Sequence, residues 1–350
     1  MSAPKSRSAV SVSAIVITLL IAVLNAGWWA LNNRPSAHPD WTGKVNGLAY
    51  SGFQRDQDPT KKRFPTQDEL ARDMALMAQV THRIRTYTST ENATVPWLAR
   101  EAGLKVTAGA WLDTREEHNQ AEIQALVQAV RENPNVDRVI VGNESILRGD
   151  VAVRDMIRYL KQVRGKVNVP VSTAEPWHIW MRYPELARNV DYITIHLLPY
   201  WEGVPVNEAV NYVLDRYWEV KRAYPRKKVV IGEVGWPSQG DRRDGAVASV
   251  ENQAAFVRAF LERSIEHDLD YYFMEAFDQP WKQAHEGRAG AYWGVFHADR
   301  TPKFPLAGPV VSDPVWPAKA LAASILAAPF MFFFVRSIRF STLSRSARIS

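Results

Sequence analysis

The sequence predicts an α/β protein, a (β/α)8 TIM barrel flanked by two transmembrane helices. Three observations carry this. Eight short apolar runs alternate with helical patterns through the middle of the 350-residue chain, as parallel strands joined by helices do. Two of the runs end in glutamate, Arg138-Val-Ile-Val-Gly-Asn-Glu144 and Lys228-Val-Val-Ile-Gly-Glu-Val-Gly-Trp-Pro-Ser238, and active residues of such barrels gather at strand C-termini. Long apolar stretches bordered by basic residues lie near both ends.

The first stretch, Val10 to Leu31, has no charge and is long enough for a hydrocarbon core of about 30 Å. Trp28 and Trp29 stand where an interfacial aromatic belt falls. A cleaved signal peptide is the competing reading, but the run is long for one and no small-x-small site follows it. A polar, Pro-containing linker occupies 32–44, with Trp41 marking the interface. Residues 45–313 form the expected barrel domain. Its predicted strands are Val45–Tyr50, His82–Tyr87, Lys105–Leu112, Val136–Asn143, Val169–Ala174, Tyr192–His196, Val229–Glu233 and Tyr271–Ala276. The predicted helices between them are Asp68–Val80, Val95–Ala102, Ala121–Glu132, Val151–Val163, Val206–Tyr224 and Val250–His267. A doubly wound open sheet is the rival fold, but Gly47-Leu-Ala-Tyr-Ser-Gly52 lacks the GxGxxG spacing of its phosphate turn. A second apolar stretch, 315–335, carries Lys319 near its start and has no polar face beyond Leu321; a packed amphipathic helix is the alternative. The basic ends 1–9 and 336–350 (Lys5, Arg7, Arg336, Arg339, Arg345, Arg348) place both termini in the cytoplasm and the barrel outside a bacterial inner membrane, in the periplasm.

With 46% hydrophobic residues the chain can bury a full core, and without cysteine it has neither disulfides nor thiolate metal sites. The net charge of +6 sits largely at the two ends, and no basic helix or base-stacking motif accompanies it. It therefore reads as membrane topology rather than nucleic-acid binding. No His/Asp/Glu group has metal-ligand spacing along the sequence, and no cofactor is expected.

Two carboxylates on strand ends are what cleavage of a glycosidic bond needs: one protonates the leaving oxygen while the other acts at the anomeric carbon. The strand ends also carry Tyr87, Trp111, Trp177, His196, Tyr200, Glu275 and Trp281, a mixture of acids and rings that suits a sugar cleft. Among the 13 Trp residues, Trp177, Trp201, Trp281 and Trp293 are the cleft candidates, whereas Trp41 and Trp316 mark the membrane flanks.

Over Val45 to Phe304 the chain resembles glycoside hydrolase family 17, the β-1,3-glucanases and glucan transglycosylases. The resemblance lies in Val141-Gly-Asn-Glu144, Gly232-Glu-Val-Gly-Trp-Pro-Ser238 and Glu275-Ala-Phe-Asp-Gln-Pro-Trp-Lys282, with Tyr292-Trp-Gly-Val-Phe296 behind them. It implies Glu144 as acid/base, Glu233 as nucleophile, and Asn143 as a donor to the sugar 2-hydroxyl. It also implies that Glu275, Asp278 and Lys282 hold the nucleophile and the sugar, although Gln279 stands where relatives often carry an acid. Tyr87, His196, Tyr200, Trp177, Trp201, Trp236 and Trp281 complete the expected substrate-binding set. The implied activity is a membrane-anchored retaining hydrolase or transglycosylase on β-1,3-linked or β-1,3/1,6-linked glucan, working through a covalent glycosyl-enzyme. Similar bacterial proteins pair this domain with a membrane glucosyltransferase; none follows here, so that expected partner is a separate protein. A non-catalytic glucan-guiding subunit is the alternative, disfavoured because both glutamates are present. A membrane scaffold leaves their placement unexplained.

Overall fold

A computed structural model describes residues 6–36 and 39–346. Lys5 and Arg348, two of the basic residues read as topology signals, lie outside the described residues. The chain divides into two compact units, His38–Gly308 and the two flanks Met1–Ala37 with Pro309–Ser350.

The larger unit is a closed barrel of eight parallel strands in sequence order. They are β1 (Val45–Ala49), β2 (Thr81–Arg85), β3 (Lys105–Ala110), β4 (Val136–Asn143), β5 (Val171–Pro176), β6 (Ile193–Leu197), β7 (Val229–Val234) and β8 (Tyr271–Phe273). Leu48 of β1 pairs with Phe273 of β8 and closes the cylinder, which removes the open-sheet alternative. Helices Gln67–Val80, Val95–Glu101, Glu116–Glu132, Val153–Arg164, Val206–Ala223 and Val250–Glu266 return the chain between strands. The first starts at a reciprocal cap. Thr66 Oγ1 accepts from Glu69 N, and Glu69 Oε2 accepts from Thr66 N at 2.8 Å, satisfying two helix-start donors that otherwise lack partners. β5 differs from expectation by running on through Glu175 and Pro176. Two short helices, Trp177–Arg182 and Pro184–Arg188, follow it. β8 stops at Phe273, three residues early, and a short helix, Gln283–Gly290, lies further along the chain.

The barrel interior is packed rather than open. Tyr192, Val230 and Tyr272 meet in its centre, all buried. Gly47 is fixed by that packing: a Cβ there would stand 2.5 Å from Tyr272 Cδ1. The two ends of the barrel unit are fastened together by Arg258, a buried residue of helix Val250–Glu266. Its Nε donates to Pro39 O and its Nη1 to Gly308 O, both at 2.6 Å, while Nη2 pairs with Asp40. Trp41 N donates to Leu306 O at 2.8 Å beside it.

In the flanking unit, helix Ser6–Asn32 packs on helix Trp316–Ser346. Asn25 Nδ2 donates to Ala320 O and Ser324 Oγ, each at 3.0 Å, and Ser36 and Val310 exchange backbone hydrogen bonds. Among the described residues one stretch, Ala14–Asn32, is long and apolar enough to cross a membrane. The second expected span, 315–335, overlaps helix Trp316–Ser346, which carries Lys319 and Pro329.

Candidate active site

The acid/base candidate is delivered by an unusual strand end. At Gly142 the backbone takes φ +82°, and a Cβ there would come within 2.6 Å of Met156 Cε. Glu144 itself has φ +53°, a left-handed conformation uncommon outside glycine. Such strain persists only where surroundings hold it. Here Ala174 O on β5 accepts Glu144 N at 2.7 Å. Arg148 closes the turn from the other side, with Nη1 on Asn143 O and Nη2 on Leu112 O at 3.0 Å. Its guanidinium lies 4.3 Å from the Trp111 ring centroid.

Across the barrel, Glu233, the residue before the last of β7, meets two nitrogen groups from other strands. Arg85, the last residue of β2, donates from Nη1 to Glu233 Oε1 at 2.9 Å and to Gly232 O at 2.8 Å. Its Nη2 holds Asn143 Oδ1. His196 of β6 stands between the two carboxylates, with Nδ1 at 2.7 Å from Glu144 Oε1 and Nε2 at 3.6 Å from Glu233 Oε1. One oxygen of each glutamate and a nitrogen of His196 all lie within 4.8 Å of one another. The sequence shows no such group because its members come from β4, β6 and β7. Arg85 already supplies the cation at Glu233 Oε1, so the cluster reads as a carboxylate pair rather than a metal site. Burial pushes the Glu144 carboxyl up, but the His196 hydrogen bond and the charges of His196, Arg148 and Arg85 outweigh it and leave it below the ordinary glutamate value.

A second ion pair braces the other wall. Lys282 Nζ donates to both oxygens of Glu275 at 3.0 Å. Burial drives the Glu275 carboxyl up to about 7, with Lys282 pulling it back. The Tyr87 ring lies between two cations, Arg85 at 5.1 Å and Lys282 at 5.5 Å from its centroid, a favourable pairing with the ring face. The hydroxyl of Tyr87 is buried with no hydrogen-bond partner among the described residues, a group that a ligand could satisfy.

Glu144, Glu233, His196, Tyr87 and Lys282 line a cleft of about 790 Å³. Of the expected set, Asn143, Glu144, Glu233, Tyr87, His196, Trp177, Trp201, Trp281 and Lys282 face it. Four expected substrate contacts are placed behind the wall instead. Tyr200 and Trp236 are fully buried; their rings meet at 5.7 Å, Tyr200 donates to Asp241 O, and Trp236 Nε1 donates to Val247 O. Asp278 is tied to Lys303 Nζ at 2.6 Å and Gly294 N at 3.1 Å, and burial raises its carboxyl to about 6. Glu275 reaches the cleft only through Lys282. Trp293, another cleft candidate, is buried beneath Trp201, with centroids 5.6 Å apart. The sequence reading passed over Arg85 and Glu175. Arg85 carried a usable signal, a charged residue at a barrel strand's C-terminus.

Residues 47–294 match the family model described as the BtgE/BtgC glycoside hydrolase domain. The chain is 30% identical over 250 residues to a probable glucan endo-1,3-beta-glucosidase, btgC, of Aspergillus clavatus, with 62% of this chain covered. It spans 36% of that relative, little more than a third of its length. Its fold is similar to the glycoside hydrolase family 17 beta-1,3-glucanosyltransferase from Rhizomucor miehei. The TM-score is 0.66 at 30% identity, covering 74% of this chain and 95% of that one. An active-site mutant of the Rhizomucor miehei enzyme in complex with laminaritriose matches at a TM-score of 0.66 and 29% identity, over the same 74% and 95%.

Proposed function

The chain belongs to the BtgE/BtgC glycoside hydrolase family, and from that premise we propose that it cleaves or transfers β-1,3-linked glucan with retention of configuration. The observation that carries the reading is the approach of Glu144 and Glu233, with one oxygen of each within 4.8 Å. Retaining pairs stand about 5–5.5 Å apart, whereas inverting pairs leave about 6.5–9.5 Å for a water. Glu233 attacks the anomeric carbon as Glu144 gives its proton to the departing glycosidic oxygen. The sugar is then held as an ester on Glu233, and Glu144 has become a base. Water, or a hydroxyl of a second glucan, gives its proton to Glu144 and displaces Glu233. Arg85 fixes the attacking oxygen and orients Asn143 toward the sugar 2-hydroxyl, a contact that tightens in the transition state. Tyr87, Trp177, Trp201, Trp281 and Lys282 supply stacking and hydrogen bonds along the cleft.

The setting we propose is the bacterial inner membrane. Helices Ser6–Asn32 and Trp316–Ser346 anchor the barrel, both ends are cytoplasmic, and 45–313 works in the periplasm on glucan delivered by a separate membrane glucosyltransferase. Product analysis with laminari-oligosaccharides tests the activity. Shorter products alone mean hydrolysis, longer or branched ones mean transfer, and unchanged substrate sinks the reading.

A further inference from the structure

Glu175 is a buried carboxyl without a part in the two-step chemistry. It stands next to the last residue of β5 with no exposed surface. Its oxygens reach the turn that follows β4, Oε1 accepting from Ile146 N at 2.8 Å and Oε2 from Leu147 N at 3.2 Å. The preceding residue, Ala174, accepts Glu144 N. The end of β5 therefore binds the amides of residues 144, 146 and 147, the segment whose left-handed start aims Glu144 into the cleft. Two converging N–H donors suit a group that accepts through both oxygens; an amide side chain would turn its NH2 against one of them.

The charged groups that face Glu175 are Glu144 from the end of β4 and His196 from β6, while Arg148 and Arg85 add positive charge at Glu144. His196, Arg148 and Arg85 all lower the proton affinity of Glu144. The first half of the proposed reaction needs the opposite, a proton kept on that carboxyl. The carboxylate of Glu233, within 4.8 Å, and a negative charge on the neighbouring strand both act in that direction.

We propose that Glu175 is a positioning residue for Glu144: it fixes the turn that carries the acid/base and, when ionised, holds a proton on it. This rests on Glu144 as the acid/base. Burial, against the two amide hydrogen bonds, brings the Glu175 carboxyl to about 7. Its charge is thus gained as pH rises through neutrality, and it opposes the groups that lower Glu144.

The test is the pH profile of kcat/KM on laminari-oligosaccharides with the full-length protein in detergent. Glu175→Gln removes the charge, so the alkaline limb should move to lower pH by about 0.5–1 unit. Activity at pH 8 relative to pH 6 then drops about 3–10-fold further than in wild type. Glu175→Asp keeps the charge but draws it back from the two amides, so kcat should fall at every pH while the limb stays in place. A limb unmoved in folded Glu175→Gln overturns the proposal. If that variant does not fold, Glu175→Asp decides: a limb moved to lower pH, or an unchanged kcat, overturns it. Glu144→Ala, assayed in parallel, reports on the acid/base reading itself; full activity there removes that premise, whatever Glu175 does.

Discussion

Arg85→Met breaks the one full ion pair of Glu233. The guanidinium and the carboxylate are 1% and 5% exposed and 2.9 Å apart. After the change Glu233 Oε1 keeps, among the described residues, His196 Nε2 at 3.6 Å, and Asn143 loses the donor on its side-chain oxygen. Removing one member of a buried pair costs about 3–5 kcal/mol, because the remaining charge stays buried without compensation. A domain of this size loses about 2–4 °C of Tm per kcal/mol, so thermal unfolding followed by circular dichroism should fall by roughly 6–20 °C. The double variant Arg85→Met/Glu233→Gln removes the stranded charge and should recover much of that loss, while remaining inactive. The reasoning fails if the double variant melts no higher than Arg85→Met, since the cost would then come from lost packing against Tyr87 rather than from charge. A single-variant loss under about 1 kcal/mol, the range of exposed pairs, refutes it as well.

The remaining expectations are more direct. Glu233→Ala should abolish turnover of laminari-oligosaccharides, and Glu144→Ala should hurt substrates with poor leaving groups most, since good ones need little protonation; wild-type rates in Glu233→Ala protein would end the assignment. Burial raises the Glu175 and Glu275 carboxyls to about 7 and that of Asp278 to about 6. The folded state therefore keeps protons that the unfolded chain releases near pH 4, and the stability these groups contribute is full below that range and lost as pH rises through about 6–7. Tm should fall by roughly 5–10 °C from pH 5 to pH 8, and a Tm that rises over the interval contradicts the assignment. A periplasm-active reporter fused after Ser350 should be silent and one inserted near Pro39 active; the reverse pattern puts the barrel in the cytosol.

Strand and helix order was legible because each strand is a short apolar run and each returning helix carries its own amphipathic period. Glu144 and Glu233 were legible because a glutamate closing such a run stands at a barrel's working end. Arg85 carries the same strand-end signal, but its pairing with Glu233 is not legible, because that partner lies 148 positions away across the barrel and strand periodicity says nothing of what meets there. Glu175 is not legible because a proline, a residue that usually ends a strand, follows it; the sequence predicts a strand ending at Ala174, whereas the ladder pairs Pro176 with His196. Nor does position after a strand separate cleft rings from core rings. Trp177 and Trp236 both follow strand ends, but Phe256 packs at 5.8 Å from Trp236 and shuts it in.

The Arg258 clamp also has a mechanical meaning. It ties Pro39 and Asp40, where the chain enters the barrel, to Gly308, where it leaves. Tension drawn through the two flanks in opposite directions, once the Ser36–Val310 bridge has given way, is carried by these charged contacts and the Trp41–Leu306 bond before it reaches the β1–β8 seam. The seam has a single registered pair, Leu48 with Phe273, and would be the first place for a pulled cylinder to unzip. A buried arginine at its gate shields that weak seam from the load.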